Sequence, residues 1–492
     1  MSSLSPSRRA RRRRPSPTLR LESLEGRILL NAGDLDPTFG VAGVVTGNYG
    51  ATAPNAKSIV VQDDAKVVVG LFDGYAGFGH DFTLVRYNSD GALDTTFGGT
   101  GVVRTDFGGA NDSVSQLILE PTSGGVKILA VGTAVEKSGQ GVGLARYNMD
   151  GSLDTTFGSG GKVFTHLSGK TSDSGGSVIL DPSGRIIVSG SSYQGKSGSY
   201  TYANLLIRYN ANGSLDTTFG GGGKVVGAYG RYTYDGWGAM EILGSGGAYT
   251  IGVLGQDGGA GVVAHFKANG GRDTTFGPNG EKPITGGSVF QPDGKIVGVI
   301  GDGNDLSLTV YRFNGDGAPD ASFNSTGQVT TPASTFYGGS QAYVRPSAVR
   351  VDASGRIVVA GRGQLADSWL DSILIRYNMD GSLDTTFGSG GATIIRVNGD
   401  LGGEEQSFQA IAFQPDGKIL AGGHYATSFN PISGSATIGM DVVRYAGDTA
   451  AAPSAIPVQT AATSLVPPAL EGVGFLDSLF PSQPGKSKRL GV

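Results

Sequence analysis

Short apolar runs separated by polar, glycine-rich stretches set the pattern along most of the chain. A first kind of run is Gly43–Thr46, Gly101–Arg104 or Gly161–Phe164, and a variable stretch leads from it to a second, such as Ser58–Val61 or Ile411–Phe413. A compact turn follows, as in Gln291-Pro292-Asp293-Gly294-Lys295 and Gln414-Pro415-Asp416-Gly417-Lys418, with Asp181-Pro182-Ser183-Gly184-Arg185 as a variant. Proline presets φ there, Asp bonds the neighbouring backbone and Gly accepts positive φ, so the turn joins hairpin strands. A third run comes next (Lys66–Gly70, Ile186–Gly190, Ile357–Gly361). A second variable stretch then leads to a fourth run, ending Arg86-Tyr87-Asn88, Arg146-Tyr147-Asn148, Arg208-Tyr209-Asn210 or Arg376-Tyr377-Asn378. Runs this short, bounded by turn formers, predict strands.

The series of four runs is punctuated by a hexapeptide. Leu35-Asp36-Pro37-Thr38-Phe39-Gly40 returns as Leu93-Asp94-Thr95-Thr96-Phe97-Gly98, again at Leu153, Leu215 and Leu383, and in altered form at Arg272 and Pro319. The seven copies are spaced by 58, 60, 62, 57, 47 and 64 residues. Four short strands in each unit of about 60 residues predict an all-β fold, a seven-bladed β-propeller of four-stranded antiparallel blades over residues 34–447. Each blade is expected to start just after its hexapeptide. The aromatic of the fourth run stands six residues before the next hexapeptide in every unit, so that connection is structural.

The repeated side chains therefore have structural work: Asp36 and Phe39, Asp94 and Phe97, Asp154 and Phe157, Asp216 and Phe219, Asp273 and Phe276, Asp320 and Phe323, Asp384 and Phe387. Each Phe is expected to pack against the neighbouring unit. Six units carry Arg in the fourth run (Arg86, Arg146, Arg208, Arg312, Arg376, Arg444), expected to bond nearby carboxylates or turn carbonyls between units. The last fourth run, ending at Tyr445, has no hexapeptide after it, and Leu35–Gly40 has no fourth run before it. A ring cut at one turn leaves those two ends, so the hexapeptide at 35–40 is predicted to seal against Tyr445.

Leu-Asp-x-Thr-Phe-Gly, Gln-Pro-Asp-Gly-Lys-Ile and Arg-Tyr-Asn, in that order, resemble the delta-60 repeat of bacterial surface and exported proteins. The resemblance implies a repeat array in an extracytoplasmic protein and carries no catalytic residues. Upstream, Leu24-Glu25-Gly26-Arg27-Ile28-Leu29-Leu30 follows a block of arginines and resembles an N-terminal sorting segment of the LEPR-XLL type, with Gly26 in place of proline. Residues 1–33 are accordingly expected to be an export segment and 448–492, rich in Ala, Pro and Ser, a disordered tail.

Composition narrows the chemistry. Eighty-five glycines argue against a helical bundle, and the absence of cysteine removes disulfides, thiolate metal sites and cysteine nucleophiles. Seven arginines crowd the first 20 residues, leaving 31 basic against 42 acidic side chains in the rest. So acidic a body repels a phosphate backbone, and no nucleic-acid partner is expected. No stretch is apolar enough to span a membrane. The four histidines match no metal or catalytic spacing. Gly301-Asp302-Gly303-Asn304-Asp305 is acidic enough to suggest calcium but lacks the calcium-loop spacing, so no cofactor is expected.

The two classes of connection differ. The turns and hexapeptide links are short and uniform, whereas the other two connections of each unit vary and alternate with them, which puts the variable ones at one end of every blade. Both tryptophans, Trp237 and Trp369, fall in that class, with Tyr202, Tyr232, Tyr234 and Tyr425 among its tyrosines. Aromatics beside Gly and Ser make adaptable contact surface. The leading expectation is a monomeric, non-enzymatic exported or cell-surface scaffold binding a carbohydrate or protein through these six residues. The alternative is a propeller hydrolase or lyase acting on extracellular glycans with carboxylates at the axial channel.

Overall fold

The computed structural model describes residues 30–448, except 52, 74–79, 109–110, 168–170, 197–198, 228–235, 245–249, 258–259, 278–279, 285–286, 302–305, 339–341, 365–369, 398–405 and 431–434. The expected sorting motif at 24–30 lies almost wholly outside these residues, and the expected tail lies outside them after Asp448.

Seven four-stranded antiparallel sheets form the fold. In the first, an inner strand Pro54–Val61 turns at 62–66 into Val67–Asp73, which pairs with a third strand, Phe82–Tyr87. The hexapeptide link then delivers the outer strand, Val102–Thr105. The inner strands of successive blades touch one another around the ring, and that of the seventh blade, Gln406–Phe413, touches Pro54–Val61. The one helix among the described residues is a single turn, Ser334–Tyr337.

The expected blade phase needs correction. The run after each hexapeptide is the outer strand of the blade it leaves, not the first strand of the next: Val102–Thr105 pairs with Phe82–Tyr87 through Phe82↔Thr105 and Val85↔Val102. The physical reason is the link itself. A bridge between Tyr87 and Leu93 (repeated as Tyr147–Leu153, Tyr209–Leu215 and Tyr377–Leu383) makes it a tight antiparallel return within one sheet. The long variable connection after the outer strand is what steps to the next blade. Both variable connections still alternate with the uniform ones, so they remain at one end of the blades.

Apolar burial is divided among seven seams, one between each pair of blades. Phe97, Val114 and Ala130 are buried in the seam of blades one and two, and Phe157, Ile118 and Val188 in the next. Among the described residues the seam of blades four and five is the thinnest, with five buried apolar side chains against sixteen between blades five and six. The thin seam falls at the shortest repeat.

The ring closes as the cut ends require. Leu35 bridges Tyr445, the Asp36 amide donates to the Arg444 carbonyl at 2.9 Å, and Val44–Gly47 becomes the outer strand of the seventh blade through Val44↔Val443 and Gly47↔Met440. Phe39 is fully buried in the seam between blades seven and one. Ala32 and Gly33 also pack in the ring: the Gly388 amide donates to the Ala32 carbonyl at 2.7 Å, and Gly33 lies against Phe387 at a φ of +90. A side chain at Gly33 would meet the Gly388 backbone.

Candidate functional site

Three regions offer chemistry: the face of uniform turns, the face of variable connections, and the axial cavity between the inner strands.

The uniform face is locked. The Arg86 Nε–H donates to the Asp94 carboxylate at 2.8 Å, another N–H reaches Thr96 Oγ1 at 3.2 Å, and a third the Met149 carbonyl of the next blade. The guanidinium lies 4.6 Å over the Phe97 ring. The same arrangement joins Arg146 to Asp154 at 2.9 Å, Arg208 to Asp216 at 2.8 Å, Arg312 to Asp320 at 2.7 Å and Arg376 to Asp384 at 2.7 Å. Arg444 closes the circle on Asp36 at 2.9 Å, with its guanidinium 4.6 Å over Phe39. All six arginines are buried, as are their aspartates. Charge-assisted bonds of this kind resist separation, because losing either partner strands the other charge. The turn cations add to it: Lys66 reaches Asp94 at 3.0 Å and Lys295 reaches Asp320 at 3.1 Å. Burial alone raises the Asp94 pKa, but hydrogen bonds from Thr96 and Lys66 and the charge of Arg86 outweigh it and leave the carboxyl well below its ordinary range.

Blade four replaces the lock. His265 stands where the other units have Arg and stacks on Phe276 at 3.6 Å between ring centroids, and burial lowers its pKa to about 4, so it packs as a neutral ring. Arg272 moves instead over Phe266, at 4.5 Å, and pairs with Glu281 at 2.7 Å.

At the variable face, the Tyr49 hydroxyl accepts from the hydroxyl of Tyr87, whose backbone stands at a uniform link, at 2.7 Å; Tyr147 and Tyr209, likewise at uniform links, donate to Thr105 and Thr165 of the preceding blades at 2.8 Å. Tyr425 sits in the second strand of blade seven, opposite Gln406, and is 8% exposed. The backbones of Trp237 and Tyr202 lie in strands, paired with Gly255 and Tyr193, while their side chains lie outside the described residues. Tyr232, Tyr234 and Trp369 lie outside them altogether, as do residues 302–305 of the stretch weighed for calcium. An acidic cluster stands elsewhere on this face. Ligand atoms of Asp81, Asp106 and Asp112 lie within 4.8 Å of one another. Asp112 is buried and accepts the amides of Phe107 and Val135, each at 2.8 Å; burial raises its pKa and that of Asp81. The cluster thus closes the connection from Thr105 to the next blade.

The axial cavity has a volume of about 820 Å3. Ile59, Leu117, Ile411 and Phe413 supply apolar wall, and Lys57 and Arg350 supply charge. Three of the carboxylates at its edge are engaged in turns: Asp352 binds Arg356 at 2.7 Å, Asp293 accepts the Lys295 amide and Asp380 the Ser382 amide. Lys57 and Arg350 were missed in the sequence. The signal that finds Arg350 is its column: aligned on the turn, the equivalent positions are Val60, Ile118, Ile179 and Ala412.

Five stretches, 62–97, 127–157, 182–219, 291–323 and 353–387, match a family described as "Domain of unknown function (DUF5122) beta-propeller". Each match ends on a hexapeptide Phe. No curated protein matches the chain. Among solved structures, a catalytically inactive virginiamycin B lyase from Staphylococcus aureus is similar at 12% identity, over 81% of this chain and 99% of that one, with a TM-score of 0.38. An ulvan lyase is similar at 11%, over 80% and 95%, with a TM-score of 0.38. An α-L-arabinofuranosidase of Fusarium graminearum is similar at 11%, over 84% and 97%, with a TM-score of 0.35. At such identities and scores nothing about their chemistry passes to this chain. The seven-sheet ring and the recurring family match make the chain a repeat β-propeller.

Proposed function

We propose that this protein is an exported, cell-surface binding scaffold without enzymatic activity, presenting the variable connections of one propeller face to a carbohydrate or protein partner. The observation that carries the reading is the segregation of the connections. Uniform turns and links occupy one face, where six buried Arg–Asp pairs brace the links and further guanidinium N–H groups, as from Arg86 to the Met149 carbonyl, reach the next blade. Every variable connection leaves from the other. A rigid frame under loops that differ from blade to blade presents different contacts while the frame keeps its geometry. The aromatic content of those connections and of the strands that lead into them, Tyr232, Tyr234 and Trp369 with Trp237 and Tyr202, suits recognition of sugar rings or of protein surface. Tyr425, buried in its strand, supports the loops from below in this reading.

The test is a glycan array and a pull-down from surface extracts with the full chain and with a Trp237→Ala, Tyr234→Ala, Trp369→Ala variant. The expected outcome is binding that falls at least tenfold in the variant while its melting temperature stays within a few degrees. Equal binding by the two proteins rejects the loop face as the site.

A further inference from the structure

One layer of inner-strand positions runs around the ring. Val60, Ile118, Ile179, Glu241, Val289, Arg350 and Ala412 each pair with the residue next to the start of the second strand: Val68, Leu129, Ile187, Gly252, Val297, Val358 and Leu420. Five of these seven positions are apolar, as the inner edge of a packed blade favours. Arg350 breaks the layer on blade six and Glu241 on blade four. Three positions earlier, a one-residue bulge recurs at Lys57, Ser115, Gly176, Ser347 and Gln409. Lysine stands there only on blade one.

Arg350 and Lys57 both face the axial cavity. The only hydrogen bond Arg350 makes among the described residues is to its own neighbour, the Val349 carbonyl at 3.0 Å, which leaves most of its five N–H donors aimed elsewhere. Lys57 has no ion pair or hydrogen bond among the described residues. Of the four acidic groups lining the cavity, Asp293, Asp352 and Asp380 are committed to turns and Asp63 is exposed, and Glu241, in the layer of Arg350, forms no pair with it among the described residues. Burial holds the Glu241 carboxyl up at about 7 and lowers the pKa of Arg350. Arg350, half-buried with most of its donors unused, is the charge this wall leaves uncompensated among the described residues, and Lys57 stands exposed on the same wall.

We infer that the axial cavity is a binding site for a small organic anion, an apolar body bearing a carboxylate or sulfonate group, held by Arg350 with Lys57 as a second anchor. The volume suits a ligand of that class. A guanidinium gripping an acidic group in two places adds geometry as well as charge. Lys57 lies three residues along the strand direction from the Arg350 layer, about 10 Å nearer the variable face, so an elongated dianion engages both. This site is separate from the loop face and does not depend on it.

The experiment titrates the full chain with 8-anilinonaphthalene-1-sulfonate and with N-phenyl-1-naphthylamine, the same apolar body without the sulfonate. The expected result is one sulfonate dye per chain, an affinity at least tenfold weaker in Arg350→Met and several-fold weaker in Lys57→Met, and N-phenyl-1-naphthylamine binding within twofold of wild type in both. Should Arg350→Met fail to fold by circular dichroism, Lys57→Met on the open wall decides alone. Unchanged sulfonate binding in the folded variants, or equal weakening of both dyes, overturns the site. Trp237→Ala, which tests the loop face, is expected to leave sulfonate binding unchanged.

Discussion

Replacing Phe39 by Ala tests whether the ring is sealed by its first hexapeptide. Phe39 is 0% exposed, as are Phe97, Phe157 and Phe219 at the equivalent positions of continuous seams. Its ring lies under the Arg444 guanidinium at 4.6 Å and beside Val67, Val69 and Val442 in the seam of blades seven and one. Truncating a buried Phe costs about 3–5 kcal/mol, the transfer free energy of the ring plus the cavity left behind. Whole domains are stable by about 5–15 kcal/mol, so the loss amounts to a large part of the total. In a sealed ring Phe39 and Phe97 are equivalent, and their Ala variants lose similar stability. In an open array Phe39 sits on a terminal arm and its loss is nearly silent. Urea unfolding followed by far-ultraviolet circular dichroism, run on Phe39→Ala, Phe97→Ala and the parent, separates the two. A Phe39→Ala midpoint indistinguishable from the parent beside a strongly lowered Phe97→Ala midpoint refutes closure at residues 35–40.

Two further outcomes follow from the packing. Asp441 is fully buried in the third strand of blade seven, and burial raises its pKa to about 7. A carboxyl whose folded pKa exceeds its unfolded value near ~3.9 costs stability as pH rises from about 4 to 7, by about 4 kcal/mol in full, so Asp441→Asn should stabilise the protein at pH 8 and make little difference near pH 4. Melting curves of the two proteins across that range check it; a variant equally unstable at every pH contradicts it. At the thin seam of blades four and five, amides of Thr250–Asp257 and Ile296–Gly301 should exchange with deuterium before those of Gly125–Glu136, and the reverse order contradicts the seam assignment.

Spacing made much of this legible. Arg86 and Asp94 stand eight residues apart, as do Arg146 and Asp154, Arg208 and Asp216, Arg312 and Asp320, and Arg376 and Asp384. A fixed spacing on a fixed-length link is a contact, and the locks form where that reasoning puts them. Blade phase was harder, because strand order along the chain is the same whether a blade is cut before or after its outer strand. The constant Tyr87–Leu93 link held the answer: a connection of unvarying length is a return within one sheet, and the variable one makes the step between sheets. The cavity wall was hidden for a different reason. A bulge at Lys57 breaks the two-residue alternation of the inner strand, so facing cannot be counted from one end of it. Counted back from the turn instead, without crossing the bulge, Arg350 falls in the column of Val60 and Ile118, and the register with the second strand agrees.

The central claim is recognition without turnover at the variable face, and one measurement addresses it directly. Glycans and surface proteins captured by the full chain are incubated with it for many hours and then weighed by mass spectrometry. The predicted result is every captured molecule recovered at its original mass, with capture lost in the Trp237, Tyr234 and Trp369 triple variant. Shortened or unsaturated glycan products, or cleaved protein, would show a propeller enzyme instead and contradict the account.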